Sequence, residues 1–495
     1  MGWNGAPAVR VCEKACGLSW HLGKVGTQVT QFDLVIVGGG AAGQSAALEA
    51  VTRGLSVALL VDPMLAENQR LYTEALHSPF EADRERYDAS QDQSAIARLQ
   101  DRQVYVVPDA QLRSVSGNLV GYDANGMRET LRAAHVLLET GLMERPMPLP
   151  GWTLPGVMTI GAALRLMQHG GLAAKDAVLV GSGLPLYSMA VSLLRLGYPP
   201  VALVETQTAS DLWGALKKNV GSVIAAHRPA RRMIQMLIEI RNAGVPRYVG
   251  AHDISLLGDR AVESVHFRHG RKLRDMPCTN VLLHHGVVKD VSVSSASGLT
   301  PDWSAAEQSF DLKSDAWGRT VAPNIWLVAG DCVPIGIPAL QDAGRVAALT
   351  IGYELRKVSK SVRDRAAIEM RLALASHGRA TGFVDQVFPP YPAALKPQDG
   401  VTVCRCTGVK AAKIRQAAAL GARTMSDVRA FSSAGDGSCG GAMCAAVVAQ
   451  TLAEFSRQSV EDVGSFTPQT APGLQPVVTL PYDLNMVLPG GGNDD

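Results

Sequence analysis

Four of the chain's 8 cysteines crowd into one short stretch of its 495 residues. "VTVCRCTGVK" carries Cys404 and Cys406, one residue apart, and "GSCGGAMC" carries Cys439 and Cys444, four residues apart. A lone thiol packs as a small apolar group. Two tight pairs point instead to sulfurs that hold something. Zinc loops more often use C-x-x-C spacing. The glycines at 435, 437, 440 and 441 would let backbone N–H groups approach sulfur, as iron–sulfur clusters favour. Four thiolates match a [2Fe–2S] cluster; zinc is the second reading and structural thiols the third.

A second constellation lies near the start. "FDLVIVGGGAAGQSAALEAVTRGLSVALLVD" contains Gly38-x-Gly40-x-x-Gly43 between two apolar runs, the second ending at Asp62. Gly38 suits a tight turn, Gly40 a close approach to a pyrophosphate, and Gly43 a helix close to its strand. The helix N-terminus offers unpaired N–H groups to phosphate, and Asp62 suits a ribose. "AVLVGSGLPLYSMAVSLLRLGYPPVALVE" repeats the unit with Gly181, Gly183 and a terminal Glu205. Leu186 replaces its third glycine, which predicts a helix held further from the sheet. Glu205 suits a ribose with a free 2′-hydroxyl rather than a 2′-phosphate. "VAGD" places Gly330 and Asp331 after another apolar strand, where an acid can bind ribityl hydroxyls.

These residues need scaffolds. Each glycine unit predicts a strand–helix–strand unit of a parallel sheet. Between them, apolar residues run into Thr140-Gly141, and prolines at 146, 148, 150 and 155 predict an extended crossing. The fold class is therefore α/β, with two Rossmann-like nucleotide-binding domains and a small helical C-terminal [2Fe–2S] domain. The boundaries read as an extension at 1–31, a first nucleotide-binding domain at 32–160 and 305–355, and an inserted nucleotide-binding-like domain at 161–304. A helix and proline-rich linker follow at 356–400, the cysteine domain at 401–460 and a tail at 461–495, expected to fray.

Composition sets outer limits. Hydrophobic residues make up 47% and charged residues 19%, as expected of a folded soluble chain. A net charge of +2 gives no electrostatic case for nucleic acid. No apolar run reaches membrane-spanning length, and the first 30 residues lack the apolar core of a secretory signal. Ala6 stands where a myristoylation motif wants Ser or Thr. These features predict a cytoplasmic protein in which thiols stay reduced. Cys12 and Cys16 read as packing or surface thiols, and His284 and His285 as structural.

The order of these parts resembles a family. The first glycine unit, "ERPMPLPGWTLPGVMT", "DAWGRT…VAGD" and the cysteine module look like the alpha subunit of multi-subunit flavin dehydrogenases of amines and amino acids. Those include opine oxidases, the hydrogen cyanide synthase middle subunit, dye-linked proline and hydroxyproline dehydrogenases and, more distantly, sarcosine oxidase alpha. The resemblance covers roughly residues 32 to 456, and the cysteine module is similar to bacterioferritin-associated ferredoxin. It implies an FAD-dependent oxidoreductase subunit that passes electrons from an amino-acid-oxidase-like beta subunit through FAD and a [2Fe–2S] centre to a quinone or dye. It also leaves room for a second nucleotide (NAD or ATP), an interface FMN, peripheral contact with the inner membrane and a small ferredoxin-like subunit. Carried over, Gly38, Gly40, Gly43, Asp62, Thr140, Gly141, Gly330 and Asp331 would contact FAD. Cys404, Cys406, Cys439 and Cys444 would hold the cluster. The chain departs from the family after Asp62, where "DPMLAENQRLYTEA" lacks the usual Gly-Gly-Gln. The alternatives are a self-contained NAD(P)H-dependent reductase and a non-catalytic scaffold.

Overall fold

The computed structural model describes residues 29–61, 98–139, 141–171, 174–218, 222, 225–292, 294–328 and 337–466. Asp62, Thr140, Gly330, Asp331, Cys12, Cys16, the segment after Asp62 and the tail beyond residue 466 lie outside them.

The first sheet grows from the apolar runs around the first glycine unit. Strands β1 (Gln31–Val37), β2 (Val57–Leu60) and β3 (Tyr105–Val107) run parallel, with helix α1 (Ala41–Thr52) crossing between the first two. The sheet order is β3-β2-β1-β6-β5-β4, where β4 is Gln111–Ser116, β5 Leu119–Ala124 and β6 Met127–Leu138. Strand β6 has two halves. Its first residues are exposed and pair antiparallel with β5, while Arg132–Leu138 turn apolar and pair parallel with β1. The parallel pairing with β1 carries the end of β6 alongside Val37 and the glycine turn that follows it. Much later the chain returns as β19 (Ile325–Leu327), also on β6, and helix α5 (Ile337–Glu354) lies against α1. The two helices touch at backbone distance: a Cβ on Gly344 would stand 2.1 Å from the Ala42 carbonyl oxygen.

The second sheet has the order β11-β10-β9-β15-β8 and is parallel throughout. Its strands are β8 (Val157–Thr159), β9 (Ala177–Gly181), β10 (Ala202–Glu205), β11 (Arg247–Val249) and β15 (Asn280–His284). Helices α2 (Ile160–Gly170), α3 (Leu184–Arg195) and α4 (His227–Asn242) accompany it. Both faces are covered, so β9 and β10 are buried along their whole length. An antiparallel meander of β12 (His252–Leu257), β13 (Ser264–His269) and β14 (Lys272–Pro277) hangs from this domain.

The proline-rich crossing is extended, as its composition predicts. One edge is stitched by β7 (Leu142–Glu144) against β16 (Val287–Lys289). A hairpin, β17 (Asp302–Ser304) and β18 (Ser309–Asp311), precedes the return to the first sheet. The amphipathic segment forms helix α6, Lys360–Val387, which stops where the prolines begin. The cysteine segment forms a two-stranded ribbon, β20 (Thr402–Cys404) and β21 (Val409–Lys410), with helices α7 (Ala411–Ala419), α8 (Met425–Ser432) and α9 (Ala445–Ser456).

Candidate functional site: a glycine cradle, a crossing and a sulfur quartet

The four cysteines converge from four local structures. Cys404 ends β20, Cys406 follows in the turn, Cys439 sits in the glycine loop and Cys444 caps α9. The Sγ atoms of Cys406 and Cys439 lie 3.7 Å apart. Two sulfurs on one tetrahedral metal with bonds of about 2.3 Å stand about 3.8 Å apart. Cys404 and Cys444 form the second, buried pair, joined by a hydrogen bond. That bond from Cys444, against the cost of burial, pulls the Cys404 thiol down to about 4, and backbone donation from Gly435 adds to the effect. The Thr407 hydroxyl donates to the same sulfur at 3.1 Å. The Cys444 thiol is pushed far up as the donor of the pair.

Among the described residues no three His, Cys, Asp or Glu side chains meet as ligands of a single metal ion. The sulfurs come as two pairs, a donor set that fits two metal atoms with two thiolates each. The glycines admit this geometry. A Cβ on Gly437 would fall 2.2 Å from Cys406 Cβ, and one on Gly441 would fall 2.3 Å from the Phe466 ring.

The module is docked on the body of the protein. Its core of Val403, Ile414, Val448 and Leu452 continues into Phe310, with Trp303 packed alongside. Trp152, from the crossing, donates its indole N–H to the Thr402 carbonyl at 2.7 Å, and the Arg405 guanidinium lies over the same ring. The crossing is held in turn by two buried pairs. His284 Nδ1 meets Glu144 Oε1 at 2.8 Å, while Glu144 Oε2 accepts from the Gly161 N–H at the start of α2. His285 accepts at Nδ1 from the Tyr391 N–H, so its Nε2 carries the proton and donates to the Pro146 carbonyl at 2.8 Å. Burial, with Arg145 nearby, pushes His285 down to about 3. Both histidines are structural clamps, as the sequence suggests.

The first glycine unit forms a tight cradle. Gly38 has φ +120°, and a Cβ on Gly43 would fall 2.2 Å from the Gly38 carbonyl oxygen. The helix-start donors, however, point at a side chain of this chain. Glu139 Oε2 accepts from the N–H groups of Gly40 (2.9 Å) and Gly43 (3.1 Å), and Oε1 accepts from that of Ala42 (3.0 Å). Gly141 lies just beyond, buried, with φ +69°. The donors of this helix start are thus engaged within the chain.

The second unit differs. Gly181 and Gly183 have φ +130° and +112°, and the His284 ring stands beside Gly183. Glu205 is fully buried. It accepts from the Tyr187 hydroxyl at 2.6 Å, from Gln207, and from Arg247 through two N–H groups at 2.6 and 2.9 Å. A ribose would compete with all three. Leu186 is fully buried in the core with Leu179, Tyr187 and Leu203, where its side chain occupies space between the helix and the sheet.

Sequence reasoning missed Glu139, the Glu144–His284 pair and the Trp152 tether. Glu139 carried one signal: an acid that ends a buried apolar run just before Thr140-Gly141. Trp152 and Thr402 lie 250 positions apart, and no local pattern joins them.

Comparison with known proteins agrees with this architecture. Residues 32–350 match the family described as pyridine nucleotide-disulphide oxidoreductase, and residues 402–454 match the BFD-like [2Fe-2S] binding domain. An opine oxidase subunit of Agrobacterium tumefaciens is 32% identical over 95% of this chain and 96% of its own length. Hydrogen cyanide synthase subunit HcnB of Pseudomonas aeruginosa is 26% identical over 88% of this chain and 95% of its own. The L-proline dehydrogenase from P. horikoshii shares the fold, with a TM-score of 0.58 at 15% identity over 90% of this chain and 79% of that one. The chain belongs to the pyridine nucleotide-disulphide oxidoreductase family, as an FAD-type oxidoreductase of mixed α/β fold that carries a BFD-like [2Fe-2S] binding domain and is related to this opine oxidase subunit.

Proposed function

We propose that this chain is the electron-transferring subunit of a multi-subunit amino-acid or amine dehydrogenase of the opine, glycine or proline type. The observation that carries the reading is the paired sulfur quartet in a module fixed to a flavoprotein body by Trp152, Thr402 and the Phe310 contact. Relatives named as subunits of an opine oxidase and a hydrogen cyanide synthase support it. In this reading the amino-acid substrate is oxidised in an amino-acid-oxidase-like partner chain, and the acceptor is a quinone or dye. Among the described residues no helix is long and apolar enough to cross a membrane.

FAD, when bound, exchanges electrons in twos or singly, and a cluster takes them one at a time. The chain's own part is to bind and orient. Gly38, Gly40, Gly43 and Gly141, with Asp62, Thr140, Gly330 and Asp331, would hold FAD. Cys404 and Cys444 would hold one iron, and Cys406 and Cys439 the other. N–H donation from Gly435, Thr407 and Cys439, with the Thr407 hydroxyl, would stabilise charge on the sulfurs.

The test is metal content and activity together. Anaerobically purified protein should contain iron and acid-labile sulfide, and Cys406→Ser should lose both. Stoichiometric zinc without iron would sink the cluster assignment. Dye reduction should require a co-expressed partner. Robust turnover of proline, glycine or an opine by the isolated chain would sink the division of labour.

One observation favours an occupied second unit. Ser182 Oγ, Thr206 Oγ1 and Gln207 Oε1, near the ends of β9 and β10, are buried without a partner in the chain. A second nucleotide, NAD or ATP, would give them one. Bleaching of the flavin bands by NADH alone would favour the self-contained reductase.

A further inference from the structure

We infer that Glu139 is an internal anion that holds the pyrophosphate donors of the first glycine cradle and so sets this chain's affinity for FAD. The inference rests on the reading that FAD binds at that cradle. Helix α1 brings no cap of its own: Gly40 stands at the N-cap without a side-chain bond, and the first turn has no acid. A helix start leaves four N–H groups without partners in the helix. Three donors of this helix start, from Gly40, Ala42 and Gly43, are taken by one carboxylate reaching in from the end of β6.

The carboxylate is built into its place. Glu139 is 3% exposed, and its own N–H donates to the Val37 carbonyl at 2.8 Å, which fixes its Cα beside the turn. A Cβ on Gly38 would fall 2.7 Å from Glu139 Cβ, and one on Gly43 would fall 2.6 Å from Oε2. The glycines that leave room for a phosphate therefore leave room for this side chain.

A dinucleotide pyrophosphate seeks the same donors, because a helix N-terminus attracts negative charge. Two anions cannot share a buried cradle without repulsion. For FAD to settle on α1, Glu139 must turn aside or share donors, and either lowers affinity. A cap of purely structural role predicts the opposite: its removal would loosen the cradle and weaken FAD.

The experiment titrates FAD into the flavin-free full-length chain, following flavin fluorescence, for the wild type, Glu139→Ala and Glu139→Gln. The glutamine keeps the stem and one acceptor oxygen, so a folded variant is available if the alanine is not. The inference expects at least tenfold tighter binding by Glu139→Gln. It also expects a lower melting temperature without FAD and a larger rise on adding it. Equal or weaker binding by a folded Glu139→Gln overturns the inference and leaves FAD at the cradle standing. Absence of FAD binding by all three proteins overturns both.

Discussion

The two glycine units share a plan and commit a buried carboxylate at different places in it. In the first, the third glycine position is Gly43, the helix backbone lies against the turn, and a remote carboxylate fills the donors. In the second, the same position is Leu186, buried in the core, and the carboxylate at the strand end is locked to Tyr187, Gln207 and Arg247. One unit has its helix-start donors engaged and the other the carboxylate at its strand end. A matching fold thus says where a ligand would lie, while the pairing state of single side chains says how readily it is admitted.

Removing the locked strand-end carboxylate should have the largest effect. Glu205→Ala leaves the Arg247 charge and the Tyr187 hydroxyl without their shared acceptor and should cost about 3–5 kcal/mol in urea unfolding. An unchanged midpoint would mean that the carboxylate is spare and free for a ribose. Exchanging the third position comes next. Leu186→Ala should cost about 2–5 kcal/mol through the cavity left in the second core. Gly43→Ala should cost about 1–3 kcal/mol or more from overpacking against the Gly38 carbonyl. If both substitutions are silent, the two helix starts are not packed as described.

A pH series sharpens the seam between the units. His285 is held neutral, at about 3 against an ordinary 6.5. A lowered histidine contributes stability that is full above the unfolded value and is lost as pH falls. The loss should reach about 2 kcal/mol by pH 5. Asp385, pushed up to about 6 by burial and then by Glu307, works the other way between about pH 4 and 6. It does so in wild type and variant alike, so the difference isolates His285. Between pH 6.5 and 5 the stability of His285→Gln relative to wild type should therefore shift by about 1.5 kcal/mol in the variant's favour, and a difference that stays constant with pH would refute the buried neutral ring. The smallest effect belongs to a locally capped helix. Thr424 and Asp427 form a capping box at α8, and Thr424→Ala should lower the stability of the cysteine module by about 1 kcal/mol without touching FAD affinity.

Much of this was legible in the sequence because it is local. The strand–glycine–helix units, the proline-extended crossing and the helices of the cysteine module each follow from periodicity or from residues with restricted backbones. The sulfur quartet was legible as a set, since its members lie within one small module. What was hidden is what needs folding to bring together. Glu139 meets Gly40 across 99 positions, and Glu144 meets His284 across 140.

The docking of the cysteine module sets a limit on how the chain can be cut. Residue 400 reads as a clean boundary, yet the apolar surface beyond it is completed by Phe310 and Trp303 from the hairpin and by Val291. A fragment that starts after the linker would present that surface to water. It would also lose the Trp152 N–H that the Thr402 carbonyl accepts. Exposed patches of this kind drive self-association. A transplantable version of the module therefore needs the β17–β18 hairpin carried with it, or polar replacements where Phe310 now rests.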